Sequence, residues 1–273
     1  MMPTTQTAGF ETAAGALAKG LVRAANGAGQ PPHPGFQLHR CTDEIHGAVH
    51  RLGAVRMLGA DVLALQMLAR LTPSATDVAL VREAVQAFPA PPPAECADTE
   101  RTVWQWRDWA LRNTLAGLGV ETTDWEGFAL PAGTAPDAPV PGMGGPWPTR
   151  AAALVRLSSL ALPSLAGPVA ARTAHHSLDV RRGLVRALLR RDLLSAARLA
   201  RWLALTDAQA DRAPALPDTA DPVRAAAEVP VGSAVEHIAL LAADEPRVQL
   251  EIEVTRRLLD HGRSVGEESA WTH

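Results

Sequence analysis

The chain has 273 residues, 47% of them hydrophobic, which is enough for one large domain or two small ones with a sizeable core and excludes a globally disordered protein. With 26 basic and 29 acidic residues the net charge is −3, so there is no overall basic excess of the kind that marks binding to nucleic acid or an anionic membrane. Two cysteines, Cys41 and Cys96, are too few for a disulfide framework and form neither C-x-x-C nor the C-x-x-C-H that attaches a haem.

Residues 1–35 are rich in Thr, Ala, Gly and Pro. Glu11 to Ala25 has helical character weakened by two glycines, and Gln30 to Gly35 reads as extended linker, so a mobile or loosely docked arm is expected. The first helix is expected from Asp43 to Leu71, capped by Thr42, with Ile45, Val49, Leu52, Val55, Val62, Leu65 and Leu68 on its apolar face. Further helices are expected over 76–88 and 98–115, stopped by Pro89 and by Gly117 or Gly119. Residues 120–148 then read as a long Pro- and Gly-rich loop, ordered by Trp125, Phe128 and Trp147 and placed to cover a site. Thr149 is expected to cap a helix over 150–162. A long helical region follows over 169–205, open to a break at Gly183 or at Arg190-Arg191-Asp192, and the last helices are expected over 233–243 and 246–261. The class is all-α, with one helical domain over 36–273.

No run of 18 uncharged apolar residues predicts a membrane span. The first residues lack a basic start followed by an apolar run, so a cytoplasmic protein is expected. The absence of Tyr beside 7 Trp reads as the compositional bias of an Ala-, Arg- and Pro-rich chain.

Three places carry possible chemistry. On the first expected helix, His46 and His50 are four apart, and Gly47, Gly53 and Ala54 are the neighbours of His50 on its face. Bare backbone beside an imidazole lets either a flat ligand or another helix come close. On the third, Trp104, Trp106 and Trp109 lie near Arg112. An arginine among aromatics suits a flat ring bearing a carboxylate, because guanidinium binds carboxylate bidentately; a surface arginine stacked on a tryptophan reads the same way. On the long helical region, His175 lies near the expected buried side marked by Val169, Ala170, Ala174 and Leu178. It is placed either to ligate a metal or to sit inert in the core. Asp179 stands one turn on to orient it, and Arg172 and Arg181 stand where they can meet carboxylates.

Taken in order, these sites resemble the haem-dependent aromatic oxygenase superfamily, typified by tryptophan 2,3-dioxygenase. Asp43-Glu44 followed by His50 is similar to its early D-E…H-Q segment, whose histidine lies distal to the haem. Trp106, Leu111, Arg112 and Leu118-Gly119-Val120 match the spacing of its F-Q-S-x-x-F-R segment, whose arginine holds the substrate carboxylate. Arg172, His175, Leu178 and Arg181 match R-x-x-H-x-x-M-V-x-R, whose histidine ligates the iron. Arg51 stands where the family has glutamine, and the family's glycine-rich loop after the proximal helix is missing. These departures turn the resemblance from tryptophan ring cleavage toward the haem-dependent tyrosine hydroxylases of natural-product pathways. It implies a helical bundle holding haem between helices and hydroxylation of L-tyrosine to the 3,4-dihydroxy product with hydrogen peroxide or dioxygen. His175 would be iron ligand with Arg172 and Arg181 at the haem, His50 distal acid–base, and Arg112 with Trp109 the substrate site. A homo-oligomer is expected, with no nucleic-acid or membrane partner. The alternatives are an oxygenase of tryptophan or an indole, and a cofactor-free helical interaction or regulatory protein.

Overall fold

The computed structural model describes residues 4–26, 36–137, 139–165, 167–210 and 230–270. Among these the regular structure is entirely helical. The helices are α1 (Thr4–Asn26), α2 (Leu38–Cys41), α3 (Ala48–Leu58), α4 (Asp61–Leu68), α5 (Ala75–Ala87), α6 (Asp98–Gly117), α7 (Trp147–Arg156), α8 (Pro168–His175), α9 (Ser177–Leu189), α10 (Leu193–Ala210), α11 (Val231–Leu241) and α12 (Pro246–Ala270). No helix of the described residues is long and apolar enough to cross a membrane. The domain expected over 36–273 is divided between two compact units. One comprises Met1–Pro141 with Asp244–Leu250, the other Gly142–Ala243 with Glu251–His273.

In the first unit, the helical character expected over Glu11 to Ala25 is present and extends to the longer α1, which is packed rather than loosely docked. Ala14, Leu17, Ala18 and Leu21 on one side of it are fully buried, and α1 packs on α2, α3 and α4. One of the two glycines that weaken its helical character, Gly20, has a packing reason. A Cβ on Gly20 would lie 2.7 Å from the Cys41 carbonyl oxygen. The rest of the expected arm, 27–35, lies outside the described residues.

The helix expected from Asp43 to Leu71 is broken. Thr42 ends the short α2, its hydroxyl donating to the His39 carbonyl at 2.6 Å. Helix α3 starts only at Ala48, after Gly47 at φ 87°, and stops at Gly59, φ 59° and ψ −129°, a conformation that suits glycine. Arg107 of α6 donates to the Met57 carbonyl at 2.5 Å, satisfying one of the acceptors that the stop exposes. His46 therefore precedes the helix and does not share a helical face with His50.

Helix α5 keeps close to its expected bounds because Ser74 and Asp77 form a capping box: the Ser74 hydroxyl accepts from the Asp77 N–H at 3.1 Å, and Asp77 accepts from the Ser74 N–H at 3.3 Å. Asp77 also accepts from the His39 backbone N–H at 2.8 Å and lies 2.8 Å from its Nδ1, which ties α2 to α5.

In the second unit Trp202 of α10 is fully buried and its indole N–H donates to the Leu154 carbonyl of α7 at 2.9 Å. Around it α10 packs on α7, α8, α9 and α11. Pro146, not Thr149, is the N-cap of α7. Arg201, fully buried, donates to the Ala161 carbonyl at 3.1 Å and to Glu251 at 3.0 Å; Arg198 donates to the other Glu251 oxygen, also at 3.0 Å. Burial alone would raise the Glu251 pKa, but Arg201 and Arg198 hold it below the usual carboxylate range. The long helical region is cut twice. Arg191, at φ 57°, marks the break expected at 190–192. Gly183 is not a break: its missing Cβ admits Ala151 of α7, whose own Cβ would otherwise be 2.7 Å away. The second break, at His176, had no Pro or Gly to announce it.

Candidate functional site

Helix α3 carries His50 half-buried. Its imidazole is covered by α1. A Cβ on Gly9 would lie 2.9 Å from His50 Nε2, and the Phe10 ring stands 5.6 Å from the imidazole, tilted by 60°. The same Phe10 fills the bare backbone at Gly53, where a Cβ would meet ring carbons at 2.5 Å. Gly53, beside His50, thus admits a helix, the second of the two readings the pattern allowed.

On α8 the break at His176 changes the proximal segment. His175 is the last residue of α8, and Leu178 and Arg181 belong to α9, so the four residues at family spacing do not lie along one helix. The buried side is Val169, Ala170 and Thr173; Ala174 and Leu178, expected there, are exposed, and so are His175 and Arg172. The neighbour of His175 is His176, edge to face at 4.9 Å between ring centres. Burial, then Arg150 and His175, push the His176 pKa below its usual value. Asp179, the expected orienting acceptor for His175, is bound by Arg150 and by Arg182 at 3.3 Å, and the histidine near it is His176, at 4.0 Å. Arg181 reaches Asp207 at 3.4 Å.

Within its own unit, neither the His50 nor the His175 surroundings shows the support for a haem that the resemblance implies. The open face beside His50 is filled by Phe10, and the acceptor and one arginine expected to serve His175 already have protein partners. No group of three or more His, Cys, Asp or Glu able to hold a metal ion occurs among the described residues. His50 and Arg112 belong to one compact unit and His175, Arg172 and Arg181 to the other, so the geometry of each is described within its own unit.

Arg112 of α6 keeps its candidacy. Its guanidinium lies 4.1 Å from the centre of the Phe128 ring, not against Trp109, which packs edge to face on Trp106 at 5.6 Å. Its Nη2 reaches the Trp125 carbonyl at a long 3.5 Å. The other two nitrogens, Nε and Nη1, are closed off from solvent and have no hydrogen-bond acceptor among the described residues. Buried guanidinium N–H groups without acceptors are uncommon and each is costly. Burial draws the Arg112 pKa below its usual value, and the Asp108 carboxylate only partly offsets this.

The segment above Arg112 is the first part of the loop expected to be ordered, and it is. Trp125 is buried and stacks on Phe128 at 6.2 Å. The Gly127 carbonyl accepts from the Ala90 N–H at 2.9 Å, and Gly127 has φ 94° with its Cα face pressed on the Val85 carbonyl. The Ala129 N–H donates to Asp108 at 2.8 Å. Asp108 in turn receives Arg56 through both carboxylate oxygens, and Arg56 lies 4.8 Å over Trp104 and donates to the Phe88 carbonyl at 2.8 Å. This buried network links α3, α5, α6 and the loop. Sequence reasoning missed it; two charges, Arg56 and Asp108, falling on the inward faces of their helices were the only signal.

Gly9, Gly47 and Phe10 stand beside His50, and Trp125, Phe128 and Asp108 beside Arg112. The chain matches no family model, no curated protein and no solved structure.

Proposed function

We propose that this protein binds a small carboxylate-bearing molecule with a flat ring, an aromatic amino acid being the form that the resemblance implies, through Arg112. The observation that carries the reading is the pair of guanidinium nitrogens, Nε and Nη1, closed off from solvent without an acceptor beside the Phe128 ring. Each of these N–H groups can donate a charge-assisted bond to a carboxylate oxygen, the two facing different edges of the guanidinium, and the aromatic face supports a flat group. Hydroxylation of tyrosine on a haem is the fuller version of this reading; it rests on the residue spacing, and the sites around His50 and His175 give it no added support.

The test is calorimetric titration of the full chain with L-tyrosine, L-tryptophan and benzoate, repeated with Arg112→Ala and Arg112→Lys. A charge-assisted hydrogen bond contributes about 1.5–3 kcal/mol, so Arg112→Ala should weaken binding roughly 10- to 150-fold. Arg112→Lys should restore little, because an ammonium reproduces neither the planar stack on Phe128 nor the fixed directions of the two N–H groups. Equal binding by Arg112→Ala overturns the proposal. An absorption spectrum after expression with haem supply decides the fuller version separately: a Soret band that His175→Ala abolishes would support it, and a colourless protein would leave carboxylate binding without the oxidation.

A further inference from the structure

The surface of α9, in the second unit, combines exposed apolar side chains with a groove lined by arginines. Leu178, Val185 and Leu189 are 52%, 41% and 82% exposed. With Arg182 they run 178, 182, 185, 189, the alternating four-and-three spacing of a coiled-coil seam. Trp147 at the start of α7 walls one side, and the space between is a groove of about 720 Å³. Four arginines, at 181, 182, 186 and 190, line it, and no acidic residue does. Arg186 lies 5.6 Å from the Trp147 ring centre, and neither it nor Arg190 has an ion pair among the described residues. The acid next to the groove, Asp179, is engaged by Arg150 and Arg182.

We propose that this groove docks an acidic amphipathic helix of a partner protein, laid along α9 with leucine-type residues on its seam and Glu or Asp on its flanks. Three observations choose this occupant. Apolar residues at helical seam spacing match the side chains of a second helix, which inserts knobs between them. At the flanking positions of that seam stand Arg181, held by Asp207, and Arg186, whose charge has no acidic partner among the described residues, so the residue that meets Arg186 on the partner is acidic. A second copy of this chain packed symmetrically would set this arginine-lined groove against itself, which like charge opposes. A nucleic acid would meet the arginines but leave Leu189 and Val185 uncovered, and a membrane surface favours a protruding face over a groove. This inference concerns α9 alone and stands apart from carboxylate binding at Arg112.

The probe is a fluorescent three-heptad peptide with Leu on its seam and Glu on its flanks, paired with one carrying Lys in place of Glu. Anisotropy is measured against the full chain. The Glu peptide should bind at least about tenfold tighter than the Lys peptide, with affinity falling as salt rises. Arg186→Glu should reverse that preference, and Leu189→Ser should weaken the Glu peptide about tenfold. Both residues are exposed, so helix content by circular dichroism should be unchanged. Equal binding of the two peptides, or indifference to both substitutions, overturns the proposal. So does a concentration-dependent dimer that Leu189→Ser abolishes, which assigns the groove to a second copy, and so does binding to phosphatidylserine vesicles in preference to the Glu peptide.

Discussion

Asp108→Ala tests whether the charge network under the Arg112 loop holds the first unit together. Arg56 is 5% exposed and Asp108 1%. The carboxylate receives both ends of the Arg56 guanidinium and the Ala129 N–H. Truncation leaves Arg56 with the Phe88 carbonyl and the Trp104 face, and leaves the Ala129 N–H without its acceptor. Three charge-assisted bonds at about 1.5–3 kcal/mol each would overstate the loss, since they share one carboxylate. The better guide is the penalty for stranding one member of a buried ion pair, about 3–5 kcal/mol. Arg56→Met combined with Asp108→Leu removes both charges and leaves two neutral, part-buried groups wanting, the Ala129 N–H and the Phe88 carbonyl, at about 1 kcal/mol each. The double variant should therefore be more stable than Asp108→Ala by about 2 kcal/mol. Urea unfolding followed by tryptophan fluorescence reads the difference, with Trp104 as a local reporter. If Asp108→Ala costs under about 1 kcal/mol, or the double variant is no better than the single, the pair is not the buried brace described here. The same substitution should weaken ligand binding at Arg112, because Ala129 adjoins the Phe128 that backs it.

Three further outcomes are expected. Gly53→Ala should destabilise by about 1–3 kcal/mol, because its Cβ meets the Phe10 ring at 2.5 Å, and Phe10→Leu should recover part of the loss; thermal melts of the three variants check this. Burial alone would raise the Asp77 pKa, but bonds from His39 and Ser74 draw it below the ordinary value. A carboxyl depressed in the folded state contributes stability that is full above its unfolded pKa of about 3.9 and is lost as pH falls through the folded one. Asp77→Asn should therefore flatten the acid limb of stability against pH below about 4, and an unchanged limb counts against the His39–Ser74 account. Burial, then Asp77 and Asp43, push the Cys41 thiol up to about 11. At pH 8 only about one Cys41 in a thousand is thiolate, so a disulfide reagent should label the half-buried Cys96 first, and Cys96→Ser should abolish the fast phase.

Local chemistry wrote much of the fold into the chain. Ser74 and Asp77 start α5, and Pro89 stops its continuation. Asp98 and the glycines after Leu115 bound α6, and Arg190-Arg191-Asp192 ends α9. These signals act through backbone geometry and hydrogen bonds within a few residues, which is why sequence alone carries them. The helical character of Glu11 to Ala25 was equally local, but the docking of α1 was not: burial of Leu17 and Leu21 depends on α2 and α3 offering a surface to receive them.

Tertiary structure decided the rest. Gly53 and His50 read the same whether a flat ligand or a helix approached, and only the position of Phe10 settled it. The break at His176 carries no Pro or Gly, so the spacing from Arg172 to Arg181 looked continuous when the two helices are separate. Spacing in sequence becomes proximity only while the helix continues, and here it stops one residue after His175. Arg112 was legible as an arginine among aromatics. That its partner is Phe128, from a loop folded back over α6, and that two of its nitrogens lack acceptors, follow from contacts between distant segments that no local pattern encodes.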